Sequence, residues 1–85
     1  MAYRLKKNIA LSESGFLFDP STGDSFSINA TGQKILEYLK TATPEEEIVD
    51  ALSVLYEADK QMIREDLDDF VHHLKQLKMI VDERP

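Results

Sequence analysis

The chain has 85 residues, 16 acidic and 10 basic, for a net charge of −6, and a surface of that sign repels nucleic-acid phosphates unless a local basic patch overrides it. Its hydrophobic content of 42% fills one small core, which excludes disorder and leaves room for one domain over residues 1–85. The lack of cysteine excludes disulfides, thiolate nucleophiles and cysteine metal sites.

No apolar run approaches the ~20 residues a bilayer span requires, and the opening MAYRLKKNIALSES lacks the continuous apolar region of a signal peptide. A cytoplasmic protein with no membrane partner is the expectation. Within Tyr3 to Ser12, Leu5, Ile9 and Leu11 share one parity and Arg4, Lys6 and Asn8 the other, which predicts a first strand that Lys7 interrupts. After the Glu13-Ser14 turn, Phe16, Phe18, Phe26 and Ile28 alternate as the core face of a hairpin. Its tip is Pro20 to Asp24, where proline presets φ and glycine tolerates a positive one.

Asn29 or Thr31 can cap a first helix carrying Ile35, Leu36 and Leu39 and ending near Lys40-Thr41. Gly32 in its first turn suits close approach of the helix to the sheet. Thr43 as N-cap, Pro44 at the first helical position and Glu46 three residues on predict a capping box. The second helix then runs to about Glu57, with Ile48, Val49, Leu52, Leu55 and Tyr56 as its apolar face. Asp59 caps a third helix in which Ile63, Leu67, Phe70, Val71, Leu74 and Leu77 follow three-four spacing. Met79-Ile80-Val81 reads as a terminal apolar segment, and Asp82 to Pro85 as a polar tail. Three strands followed by three helices make an α+β fold, winged helix-turn-helix-like, with a three-stranded antiparallel sheet.

Catalytic constellations do not emerge. His72 and His73 are adjacent, so they point ~100° apart on a helix and cannot share a metal as residues at i and i+4 do. The carboxylates Glu65, Asp66, Asp68 and Asp69 lack calcium-loop spacing and read as a solvated face. The third helix carries acidic residues and a single arginine, Arg64, where a recognition helix wants several groove- and phosphate-contacting cations, so nucleic acid is not an expected partner. A winged-helix regulator that binds protein or DNA is the alternative function.

The hairpin edge offers more. Ser25-Phe26-Ser27-Ile28 carries no proline, lysine or inward charge to guard an edge strand, so an extended peptide can add there as a further strand. The alternative is an edge covered by the terminus or by a second subunit.

The series Gly15-Phe16-Leu17-Phe18-Asp19, Thr22-Gly23, Phe26-x-Ile28-Asn29-x-Thr31-Gly32, Ile35-Leu36 resembles the PqqD-like family, named for pyrroloquinoline quinone biosynthesis protein D. The resemblance continues through Glu47-Ile48-Val49, Leu52, Tyr56 and Asp66-Leu67-x-x-Phe70-x-x-x-Leu74. It covers Leu5 to Val81, which marks residues 5–81 as the core of the domain. It departs at Ile28, Leu36 and Met79, where leucine, tryptophan and glycine are commoner. The resemblance implies a RiPP recognition element, a non-catalytic module serving ribosomally made, post-translationally modified peptides. Such a module binds the leader of a precursor peptide as an added strand and presents it to a modifying enzyme, a radical SAM protein in quinone biosynthesis. No cofactor is expected in this chain, since the cluster and SAM belong to that enzyme. Carried onto these residues, the implied peptide-binding groove has Asp24, Ser25, Phe26, Ser27 and Ile28 on the strand and Arg64, Leu67, Asp68, Val71 and Lys75 on the third helix. The opposite flank of that helix, Asp66, Phe70 and His73, is the alternative wall, and helical angle alone leaves the two open.

Overall fold

The computed structural model describes residues 2–83, so Arg84 and Pro85 of the expected tail lie outside the described residues. The chain runs through β1 (Ala2–Leu5), β2 (Ala10–Leu11), β3 (Phe16–Asp19), β4 (Asp24–Ser27), α1 (Ala30–Lys40), α2 (Glu45–Tyr56), α3 (Lys60–Gln76) and β5 (Ile80–Glu83). A three-stranded antiparallel sheet of order β2-β3-β4 precedes the three helices, and β1 pairs with β5 in a separate two-stranded sheet.

The expected first strand is therefore two strands serving different sheets. A turn at Lys6 to Ile9, where the Ile9 amide donates to the Lys6 carbonyl at 3.1 Å, divides them. β1 lies antiparallel to β5 with Leu5 opposite Ile80 and Tyr3 opposite Asp82. Asp82 and Glu83, expected in a polar tail, are thus strand residues. Pairing across 75 or more positions leaves no trace in local periodicity.

The hairpin faces also differ from expectation. Leu17 is buried, whereas Phe16 and Phe18 are 51% and 41% exposed. Asp19 pairs with Asp24 across the turn, so Leu17 stands opposite Phe26 and Phe18 opposite Ser25. A turn of four residues, 20 to 23, makes cross-strand partners opposite in parity, so Phe16 and Phe18 cannot share a face with Phe26. Phe26 packs against the core with Leu17, which turns Phe16, Phe18, Ser25 and Ser27 outward. Asp19, buried at the tip, accepts from the Ser21 amide at 2.9 Å and the Ser21 hydroxyl at 2.6 Å. The Ser21 hydroxyl, more than any other neighbour, holds its carboxyl below the ordinary value.

Asn29 caps α1 by accepting from the Gly32 amide at 2.8 Å, and Asp59 caps α3 by accepting from the Met62 amide at 3.2 Å. The capping box expected at α2 does not form. Pro44 is the N-cap residue, with extended ψ of 144° and no side-chain bond, and its bridge to Ala2 ties this corner to β1. Thr43 Oγ1 meets Thr41 Oγ1 at 3.1 Å instead. Glu45, Glu46 and Glu47 still occupy the first turn, where the helix dipole favours anions. Ile48, Val49 and Leu52 are buried, but Leu55 and Tyr56 are 53% and 44% exposed because the last turn of α2 runs past the core.

On α3 the buried stripe is Ile63, Leu67, Val71 and Leu74. The helix closes with the Met79 amide donating to the Leu74 carbonyl at 3.0 Å, while Lys78 takes the left-handed φ of 59° that glycine would adopt without strain. No helix among the described residues is long and apolar enough to cross a membrane.

Candidate functional site

β4 ends its sheet, so one row of its backbone groups has no strand partner among the described residues. The amide of Ile28 donates to the Gly15 carbonyl at 2.7 Å. Directions alternate along a strand, so Phe26 points its backbone groups to β3 and Ser25 and Ser27 point theirs to the open edge. Among the described residues, the terminal strands β1 and β5 pair with each other in a separate sheet and not with this edge.

Between β4 and α3 lies a groove of about 520 Å³. Phe26, Ser27 and Ile28 form its strand side, and Asp66, Phe70, His73 and Leu77 its helical side. Residues spaced three and four apart on a helix stand on one face, which is how α3 presents these four together. Leu17, Ile35 and Leu74 line it from the core, and Asn29, Thr31 and Gly32 from the start of α1. A methyl group on Gly32 would stand 2.8 Å from Ile28 Cγ2 and 3.5 Å from Phe70 Cζ. The glycine thus admits close approach, as expected, but to the Ile28 side chain and to α3 rather than to a strand.

The alternative flank of α3 is the one that faces β4. The expected one faces β1 and α2. Arg64 Nη2 pairs with Glu46 Oε2 at 2.8 Å, and Lys75 Nζ donates to the Tyr3 hydroxyl at 2.8 Å. Asp68 lies against Glu45, whose carboxyl is pushed up by burial first and by the Asp68 charge and hydrogen bond second. Leu67 and Val71 are core residues. Arg64, Leu67, Asp68, Val71 and Lys75 therefore do not line the groove. On the strand, Asp24 and Ser25 lie on β4 beyond the groove's lining, and the Asp24 amide donates to Thr22 Oγ1 at 3.2 Å.

The groove is chemically simple. Its apolar walls, Phe26, Ile28, Phe70, Leu74 and Leu77, are interrupted by one carboxylate, Asp66, and one imidazole, His73. The described residues contain no group of three or more histidine and acidic side chains placed to hold a metal ion. What the site offers is a row of unpaired backbone donors and acceptors beside an apolar slot, an arrangement suited to holding an extended chain.

The family described as Coenzyme PQQ synthesis protein D (PqqD) matches residues 15–80. No curated protein matches the chain. Among solved structures, one described as TbiB1 in complex with the TbiA(beta) leader peptide superposes with a TM-score of 0.85 at 25% identity, covering 96% of this chain and 99% of that one. A second, lasso peptide synthetase B1 complexed with the leader peptide, has a TM-score of 0.81 at 24% identity, covers 94% of this chain and 98% of that one, and shows likeness of fold.

Proposed function

The chain belongs to the coenzyme PQQ synthesis protein D (PqqD) family, and we propose that it captures the leader of a ribosomally synthesised precursor peptide as an added strand on β4 and presents it to a modifying enzyme. The observation that carries this reading is the open edge of β4 beside a groove whose other wall is the Asp66, Phe70, His73 and Leu77 flank of α3. The likeness to TbiB1, a protein in complex with a leader peptide, supports it.

In this reading Asp24 to Ile28 supply the strand. Ser25 and Ser27 bond the leader through their backbones, while Phe26 and Ile28 with Phe70, Leu74 and Leu77 receive its inward side chains. About four main-chain hydrogen bonds at ~1 kcal/mol net each, with one or two apolar anchors at ~1.5–3 kcal/mol, stand against the cost of ordering and association. Micromolar or somewhat tighter affinity follows. The module is non-catalytic. Its partner is a radical SAM enzyme in pyrroloquinoline quinone or related peptide-derived product biosynthesis, in the cytoplasm. The cluster and SAM reside in that partner, because this chain has no cysteine to ligate iron.

The test is a titration of ¹⁵N-labelled protein with synthetic leaders of the precursors encoded beside its gene, followed by amide shifts. Shifts centred on residues 24–28 and on Asp66, Phe70 and His73 are expected. Silence towards every such leader, or shifts centred on Arg64 and Lys75, overturns the reading. Titration with duplex DNA separates the regulator alternative, which would show salt-sensitive binding.

A further inference from the structure

A second cavity, of about 170 Å³, opens where α1, α2 and α3 meet. Leu52, Ile63 and Leu67, all buried, line its interior, and the exposed side chains of Tyr56 and Met62 flank it. Thr31, Ile35 and Asp66 line both this cavity and the groove beside β4, so the two adjoin. A dry apolar cavity of about 150 Å³ accommodates benzene, so the space suits one large side chain and is too small for a typical cofactor.

Asp66 stands at the junction and, among the described residues, is the only charged one lining the second cavity. Its carboxylate takes part in no ion pair or side-chain hydrogen bond among the described residues. The nearby cations of α3 are engaged elsewhere, Lys60 with Asp50 at 2.9 Å and Arg64 with Glu46 at 2.8 Å. A ligand threading this junction therefore meets an unneutralised negative charge beside an apolar hole.

We propose that the strand held on β4 continues past Ile28 into this cavity, and that the chain selects leaders carrying a bulky apolar residue, seated there, with a lysine or arginine within two positions of it, paired with Asp66. This rests on the strand-addition reading and gives that reading a sequence preference. The lining residues that the two cavities share argue for the same peptide reaching both. The bare carboxylate argues for a cation, in a chain whose net charge of −6 already favours basic segments.

The probe is a displayed library of random fifteen-residue peptides selected on the full chain, with enriched peptides then measured by fluorescence anisotropy. Enriched sequences are expected to share the apolar residue and neighbouring cation. Ala58→Trp, which fills the cavity, should weaken them by about tenfold or more. Met62→Arg changes an exposed position one helical turn before Asp66, supplies an internal cation at i, i+4, and should abolish the preference for a basic residue without unfolding the chain. Enrichment without that preference, or equal binding to wild type and both folded variants, overturns the proposal. If Ala58→Trp does not fold, the library's preference on wild type and Met62→Arg decides alone. Failure to enrich any peptide instead overturns strand addition itself.

Discussion

Lys75 donates a 2.8 Å hydrogen bond to the hydroxyl of Tyr3, and its ammonium lies 4.4 Å from the centre of the same ring. The contact fastens the C-terminal half of α3 to β1, as the Arg64–Glu46 pair fastens its N-terminal half to α2. With one flank so engaged, the other, Asp66, Phe70 and His73, is left to face β4.

Tyr3→Phe and Lys75→Ala should therefore lower the thermal midpoint and leave leader affinity unchanged. The hydrogen bond from Lys75 to Tyr3 raises the ammonium's pKa above its ordinary 10.5. A raised pKa on a cation means stability that is complete below the ordinary value and lost as pH rises through the folded one. The midpoint difference between wild type and Lys75→Ala should persist at neutral pH and shrink only in strong alkali.

Inward and outward positions of β3 should separate sharply in urea unfolding. Leu17→Ala should cost about 2–5 kcal/mol, since a buried leucine leaves a cavity, while Phe16→Ser should cost less than about 1 kcal/mol, as surface changes do. A larger loss for Phe16→Ser than for Leu17→Ala would mean the hairpin faces are reversed.

Ser27→Pro removes a donor that points away from β3, so the fold should survive, as edge strands tolerate proline with its missing N–H towards solvent. Leader affinity should fall by about tenfold, the loss of one main-chain bond together with crowding by the ring. Ser27→Ala, which keeps the amide, should bind as wild type does. Undiminished binding by a correctly folded Ser27→Pro would remove that amide from the interaction.

Burial and the neighbouring Asp68 hold the Glu45 carboxyl above its ordinary 4.5. The folded chain thus binds this proton more tightly than the unfolded chain, and the associated stability is present at acid pH and lost as pH rises through the raised value. Asp68→Asn removes the repulsion and offers Glu45 an amide donor, while leaving Glu45 at the favourable positive end of α2. It should raise the thermal midpoint at pH 7 and give less gain at pH 3, where Glu45, its value raised above 4.5, carries its proton and is not repelled. Melting curves across that range read the difference directly.

What the sequence determined by itself is local. Asn29 and Asp59 cap their helices because each needs only an amide two or three residues away, and the spacing of Ile63, Leu67 and Leu74 marks a buried stripe because a helix repeats every 3.6 residues. The unguarded strand 24–28 and the family were legible for the same reason, being runs of residues read in order. Tertiary structure decided the rest. Turn length gave Leu17 rather than Phe16 to the core, through a parity that no single strand contains. β5 was drawn out of the expected tail by a partner at the other end of the chain. Which flank of α3 lines the groove was decided by Tyr3, Glu45 and Glu46, since helical angle places side chains around an axis but only the surrounding elements say which direction is occupied.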